Sequence, residues 1–112
     1  MLPSKQKVNK ELFGLLMKTG RSFHSDIFSL RVSPSPDHST SRFSVVVQKK
    51  VEKEATLRNR AKRRVYPIIK GLWKEVKPGL LGGIFLKKKI TTYSTEVLRK
   101  EVENLFKKAG IV

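Results

Sequence analysis

The sequence predicts an α+β fold, a two-layer α/β sandwich in which helices cover a small sheet. Three observations predict it. Apolar residues recur at intervals of three and four in three separate segments, as on one face of a helix. Between those segments lie short stretches with period-two alternation or clustered valines, as in strands. The order is helix, two or three strands, helix, strand, helix, with no internal repeat, which suits helices packed on one sheet.

Taken in order, residues 1–6 read as a loose basic lead-in to a single domain spanning 1–112. The first helix runs from Val8 to Met17, with Val8, Leu12, Leu15 and Leu16 on one side and Gly20 as a stop. Phe13 and Met17 form a neighbouring ridge four residues apart, which is either core or the wall of an open groove with Phe28 or Arg31. Phe28, Leu30 and Val32 alternate as a half-buried strand should. The stretch S-P-S-P-D-H-S-T-S reads as a loop, and Arg42 to Gln48 as the next strand.

A second helix starts near Thr56 or Leu57. Its buried stripe is Leu57, Ala61, Val65, Ile68, Ile69, Leu72, Trp73 and Val76, with Trp73 expected in the core. Pro67 lies inside that stripe and predicts a kink or break near Tyr66 in one long element. K-P-G-L-L-G-G reads as a turn region and Ile84 to Leu86 as a short strand. Ser94 is an N-cap with Tyr93 and Leu98 placed as a hydrophobic staple. Leu98, Val102, Leu105, Phe106 and Ala109 then face the core up to Gly110.

Charge decides the function class. Lys and Arg total 25 against nine Asp and Glu in 112 residues, a formal +16. Such an excess repels itself and is best neutralised by a polyanion, above all a phosphate backbone. The apolar fraction, 38%, suffices for a core and excludes a disordered basic tail. No apolar run reaches the roughly 18–20 residues that span a bilayer. Cysteine is absent, which excludes disulfides and thiolate chemistry and fits an intracellular chain.

The cations concentrate from Lys49 to Arg64, where Lys49, Lys50, Lys53, Arg58, Arg60, Lys62, Arg63 and Arg64 meet only Glu52 and Glu54. On the second helix, Arg58, Arg60, Lys62 and Arg64 flank the buried stripe, and Asn59 and Arg63 share a face. Arginine forks bridge phosphate oxygens, and an asparagine amide reads a base or sugar edge. No catalytic constellation accompanies them. His24 and His38 lie in separate segments, no H-x-x-x-H or cysteine set has metal spacing, and G-L-L-G-G lacks the residues of a P-loop.

The motif R-N-R-A-K-R-R at Arg58 to Arg64, preceded by R-F-S-V-V-V-Q-K-K-V, follows N-K-E-L-F-G-L-L-M-K-T-G and is followed by F-K-K-A-G-I. Across residues 8–111 this arrangement resembles the protein subunit of bacterial ribonuclease P, whose signature is R-N-R-x-K-R. The resemblance implies an α-β-β-β-α-β-α order around a four-stranded sheet with a left-handed parallel crossover. It also implies an RNA-based endonuclease that removes the 5′ leader of precursor tRNA. Chemistry then belongs to the catalytic RNA and its Mg2+, and the protein has no catalytic residue. By position, the resemblance implies that Arg58, Asn59, Arg60, Lys62, Arg63 and Arg64 contact catalytic RNA. It implies that Phe13, Met17, Phe28, Arg31, Lys49 and Lys50 line a leader-binding groove. The expected partners are the catalytic RNA and precursor tRNA, with no membrane and no obligate protein partner, in the cytoplasm. Met17 stands where the family has a second aromatic, Gln48 replaces a common serine, Glu52 replaces a usual glycine, and Pro67 is irregular. The competing readings are a structural rRNA-binding protein, a duplex-DNA binder and a membrane-surface protein.

Overall fold

The computed structural model describes residues 8–36 and 41–112, so the expected lead-in and the loop residues Asp37 and His38 lie outside the described residues. Helix α1 (Lys10–Thr19) is capped by Asn9, whose Oδ1 accepts the Leu12 N–H at 2.9 Å. Strands β1 (Arg21–His24) and β2 (Phe28–Pro34) pair antiparallel, and β3 (Arg42–Val46) follows. Helix α2 (Ala55–Leu72) ends in a single 3-10 turn at Trp73–Glu75. Strand β4 (Leu80–Leu86) precedes α3 (Thr95–Ala109). The expected order is found, with three strands between the first two helices.

The sheet order is β1-β2-β4-β3. Strand β4 runs antiparallel to β2 and parallel to β3, so α2 forms the crossover of a parallel β3-α2-β4 unit. One face of the sheet carries Phe28, Leu30, Phe43, Val45 and Ile84 into a core shared with Val65 and Ile69 of α2 and Leu98, Val102 and Phe106 of α3. The Phe43 ring packs edge-on to Trp73 at 5.6 Å and tilted against Phe106 at 5.4 Å. Ser94 Oγ accepts the Val97 N–H at 3.2 Å, and Gly110 (φ 74°) ends α3 in the left-handed conformation that favours glycine.

Three details depart from expectation. First, β4 begins at Leu80, four residues before the predicted strand. Gly82 lies opposite Phe43 in the parallel register, where a Cβ would overlap the phenylalanine ring. Gly82 and Gly83 are therefore strand residues that admit close packing, whereas Gly79 (φ 76°) lies in the expected turn before the strand. Second, α2 passes Pro67 without a break, because Val65, Tyr66, Ile68 and Ile69 are buried on either side of it. Third, Tyr66, absent from the expected stripe, is itself buried. Its hydroxyl accepts the Val45 N–H at 3.1 Å on the edge strand of the sheet.

The second face of the sheet is only partly covered. Helix α1 presses Leu16 onto it, beside Leu81 and Gly83. Leu16 is the only fully buried residue of α1, whereas Met17 is 42% exposed. The remainder of this face forms a groove.

Candidate nucleic-acid interface

The groove of about 420 Å³ lies beside α1 on the open face of the sheet. Period-two alternation selects its floor: Ser22 and His24 from β1, Ser29 and Arg31 from β2, and Phe85 from β4. Met17 of α1, with Gln48, Lys50, Val51, Leu86 and Lys87, completes the lining. Phe13 lies next to this surface, tilted against Phe85 with ring centroids 6.1 Å apart. Arg31 donates Nη1–H to the Met17 carbonyl at 2.8 Å, tying its guanidinium to the end of α1. Gly20 leaves room for that arm, since a Cβ there would meet Arg31 Cγ at 2.5 Å.

Phe28 does not line this groove. It is 0% exposed and points into the core with Leu30, on the face opposite Arg31. Residues 28 and 31 differ by an odd number, so one strand cannot present both on one face. Lys49 is exposed on the turn after β3, and only Lys50 of the pair reaches the groove lining. His24, Phe85 and Lys87 were missed by the sequence reading. Alternation about the buried Ile84 and Leu86 was the signal available for Phe85.

The amino-terminal half of α2 forms the second cationic surface. Ala61 and Val65 anchor it to the core. The six polar residues of R-N-R-A-K-R-R divide into two sets. Arg58 donates Nη1–H to the carbonyls of Glu52, at 3.0 Å, and Lys53, at 2.6 Å. Arg64 donates to the carbonyls of Ile90, at 2.6 Å, and Tyr93, at 2.5 Å. These two arginines therefore brace the segments before and after the helix crossover. Asn59, Arg60, Lys62 and Arg63 make no side-chain hydrogen bond or ion pair among the described residues. Asn59, Arg60 and Arg63 are exposed and Lys62 is half-buried.

The two surfaces meet. Val51 and Leu86 line both the groove and a pocket under the start of α2, so the Lys49–Lys53 segment runs between them. Lys88 is diverted from either surface by a hydrogen bond to Asp26 Oδ2 at 3.1 Å, which raises its pKa above that of an ordinary lysine. Chemically, the arrangement offers fixed and mobile cations, an amide and an aromatic floor. Among the described residues, no three His, Cys, Asp or Glu side chains are grouped to hold a metal ion. No helix among them is long and apolar enough to cross a membrane.

Comparison with known proteins gives this surface its context. The family model described as Ribonuclease P matches residues 2–110. The chain belongs to the ribonuclease P protein family. A ribonuclease P protein component from Synechocystis sp. is 35% identical over 92 residues, covering 82% of this chain and 73% of that relative. One from Microcystis aeruginosa is 30% identical over 107 residues, covering 93% and 89%. The RNase P protein from Thermotoga maritima superposes with a TM-score of 0.76 at 26% identity, covering 86% of this chain and 89% of that one. A Staphylococcus aureus RNase P protein mutant, at 19% identity and TM-score 0.84, shares the fold over 96% of this chain and 91% of its own. With the family comes the activity: the chain is an RNA-binding subunit of a ribonucleoprotein that processes the 5′ leader of tRNA, and catalysis resides in the RNA.

Proposed function

We propose a division of labour between the two surfaces. Asn59, Arg60, Lys62 and Arg63 of α2 bind the catalytic RNA, while Arg58 and Arg64 hold the helix and its flanking segments in place. The groove binds the single-stranded 5′ leader of precursor tRNA. Phe85 and Phe13 offer ring faces to bases and Lys50 offers charge to phosphates, while Arg31 and Lys87 offer the donors left over from their bonds to the Met17 and Ser25 carbonyls. Met17 supplies apolar contact where the family has an aromatic. Lys49 serves as a mobile charge at the rim. The site of action is the cytoplasm, and 1–112 acts as one domain.

The observation that carries this reading is the contrast within one motif. Two arginines are occupied by backbone carbonyls, and the four polar residues between them have no described hydrogen-bond or ion-pair partner. Unpaired cations on a rigid helix need break no internal contact to meet an external polyanion, and the helix backbone that carries them is already ordered. The Mg2+ of the holoenzyme belongs to the RNA in this account. The protein's described carboxylates and histidines do not fit a ligand set, and its residues act by binding and orienting RNA.

Substitution separates the two roles. Arg60→Ala or Arg63→Ala weakens association with the catalytic RNA by about 1–3 kcal/mol per lost charged contact. Each also reduces the slope of log K against log salt by about one, with thermal stability unchanged. Arg64→Ala instead lowers stability by about 1–3 kcal/mol, because two carbonyls lose a charged donor. Binding titrations at several salt concentrations, paired with thermal melts, measure both effects. Wild-type RNA affinity in folded Arg60→Ala and Arg63→Ala proteins would refute the assignment.

A further inference from the structure

A pocket of about 290 Å³ opens between the start of α2 and the segment after β4. Val51, Leu57 and Ile90 give it aliphatic walls, and the exposed Arg60 and Lys89 stand at its edge. Glu52 is the discordant lining residue. It is 8% exposed, yet no described residue donates a hydrogen bond to its carboxylate. Its described partner is the exposed Lys89, whose Nζ forms a loose ion pair with Oε1 at 3.8 Å, beyond hydrogen-bond distance.

The carboxylate oxygens still reach solvent at the pocket mouth, and the backbone on either side of Glu52 fixes where they sit. Its N–H donates to the Gln48 carbonyl at 3.1 Å, and its own carbonyl accepts from Arg58 at 3.0 Å. The pocket therefore presents, between aliphatic walls, a carboxylate that accepts no hydrogen bond from the described residues, with Lys89 loosely ion-paired to it and Arg60 and Arg64 also in the lining. Its occupant should be a flat apolar body carrying two adjacent N–H donors and a nearby anion.

Among nucleobases, guanine alone presents two neighbouring donors, N1–H and N2–H, on its pairing edge. Adenine and cytosine place a ring acceptor beside their amine, and uracil places its one N–H between two carbonyls. We infer that this pocket receives one unstacked guanine of the catalytic RNA. Glu52 accepts from N1–H and N2–H, and the adjoining phosphates lie on Arg60 and Lys89. The inference rests on the reading of α2 as the contact to catalytic RNA, and it gives that contact a base-specific element. It also gives Glu52 a role where a glycine would leave the pocket without an acceptor.

The test is chemical footprinting of the complex with kethoxal, which reacts across N1 and N2 of unpaired guanines. At saturating wild-type protein, one guanine of the catalytic RNA becomes unreactive. With Glu52→Gln, also at saturation, that guanine regains the reactivity it has in free RNA. Absence of such a guanine, or protection that persists with Glu52→Gln, overturns the inference. A second arm uses isolated protein and follows the resonances of Val51, Leu57 and Ile90 by NMR during titration with guanosine or inosine monophosphate. Guanosine monophosphate binds about tenfold more tightly, the effect of one charge-assisted hydrogen bond, and Glu52→Gln abolishes the preference. Equal binding of the two nucleotides overturns the pocket chemistry. Guanosine preference without a protected guanine assigns the pocket to free nucleotide and overturns the RNA source. Should the protein and catalytic RNA form no complex, the function proposed above fails, and the nucleotide titration alone decides the pocket.

Discussion

Gly82 shows how much a missing side chain can determine. Phe43 occupies the space where its Cβ would be, and that ring also packs on Trp73 and Phe106. Gly82→Ala must displace a fully buried phenylalanine, so it should destabilise the fold by about 1–3 kcal/mol. Gly14 is the contrasting case. It lies exposed within α1, and a Cβ there meets nothing within 4 Å. Gly14→Ala should stabilise by about 0.5–1 kcal/mol through helix propensity. Urea unfolding of the two variants should move the midpoint in opposite directions with an unchanged m-value. A shared direction would mean that one of these local environments is misread. The same scale explains why Phe28 was misplaced. Its alternation with Leu30 and Val32 already separated it from Arg31, so residue spacing alone was enough to exclude it from the groove. By contrast, nothing local to Arg58 or Arg64 signals their backbone partners. Those carbonyls come from a preceding loop and from a segment beyond the next strand.

At the scale of elements, long periodic stretches were legible and the glycine-rich strand was not. The stripes of α2 and α3 repeat over several turns, so their burial is over-determined by the sequence. Strand β4 carries only short apolar pieces around Gly82 and Gly83, and its central position is imposed by pairing with β2 and β3. Such pairing is a tertiary event that turn propensities cannot express. Pro67 makes a further prediction here. It is exposed on α2 and removes the N–H that would meet the Arg63 carbonyl. Pro67→Ala should raise stability by up to about 3 kcal/mol, read as a higher melting temperature. A lower one would show that the proline is required for the path of α2 into Trp73–Glu75. The groove was half legible for a related reason. Met17, Arg31 and Lys50, with the adjacent Phe13, came from motif positions, and strand alternation could have given the face of Phe85, whereas His24 and Lys87 reach the groove only through the sheet order.

For the whole molecule, +16 is a property of an unfinished complex. Self-repulsion of this size is tolerated because the cations are distributed over a groove and a helix end that adjoin through the Lys49–Lys53 segment. On the function proposed above, one protein holds catalytic RNA at α2 and leader in the groove at the same time, which would tie substrate affinity to leader length. The most direct measurement is cleavage of precursor tRNAs differing only in 5′ leader length, by the matching catalytic RNA at low magnesium, with and without the protein. The account predicts stimulation that grows with leader length until the leader spans the groove. Stimulation independent of leader length would contradict the groove assignment, and no stimulation at any magnesium concentration would contradict the account as a whole.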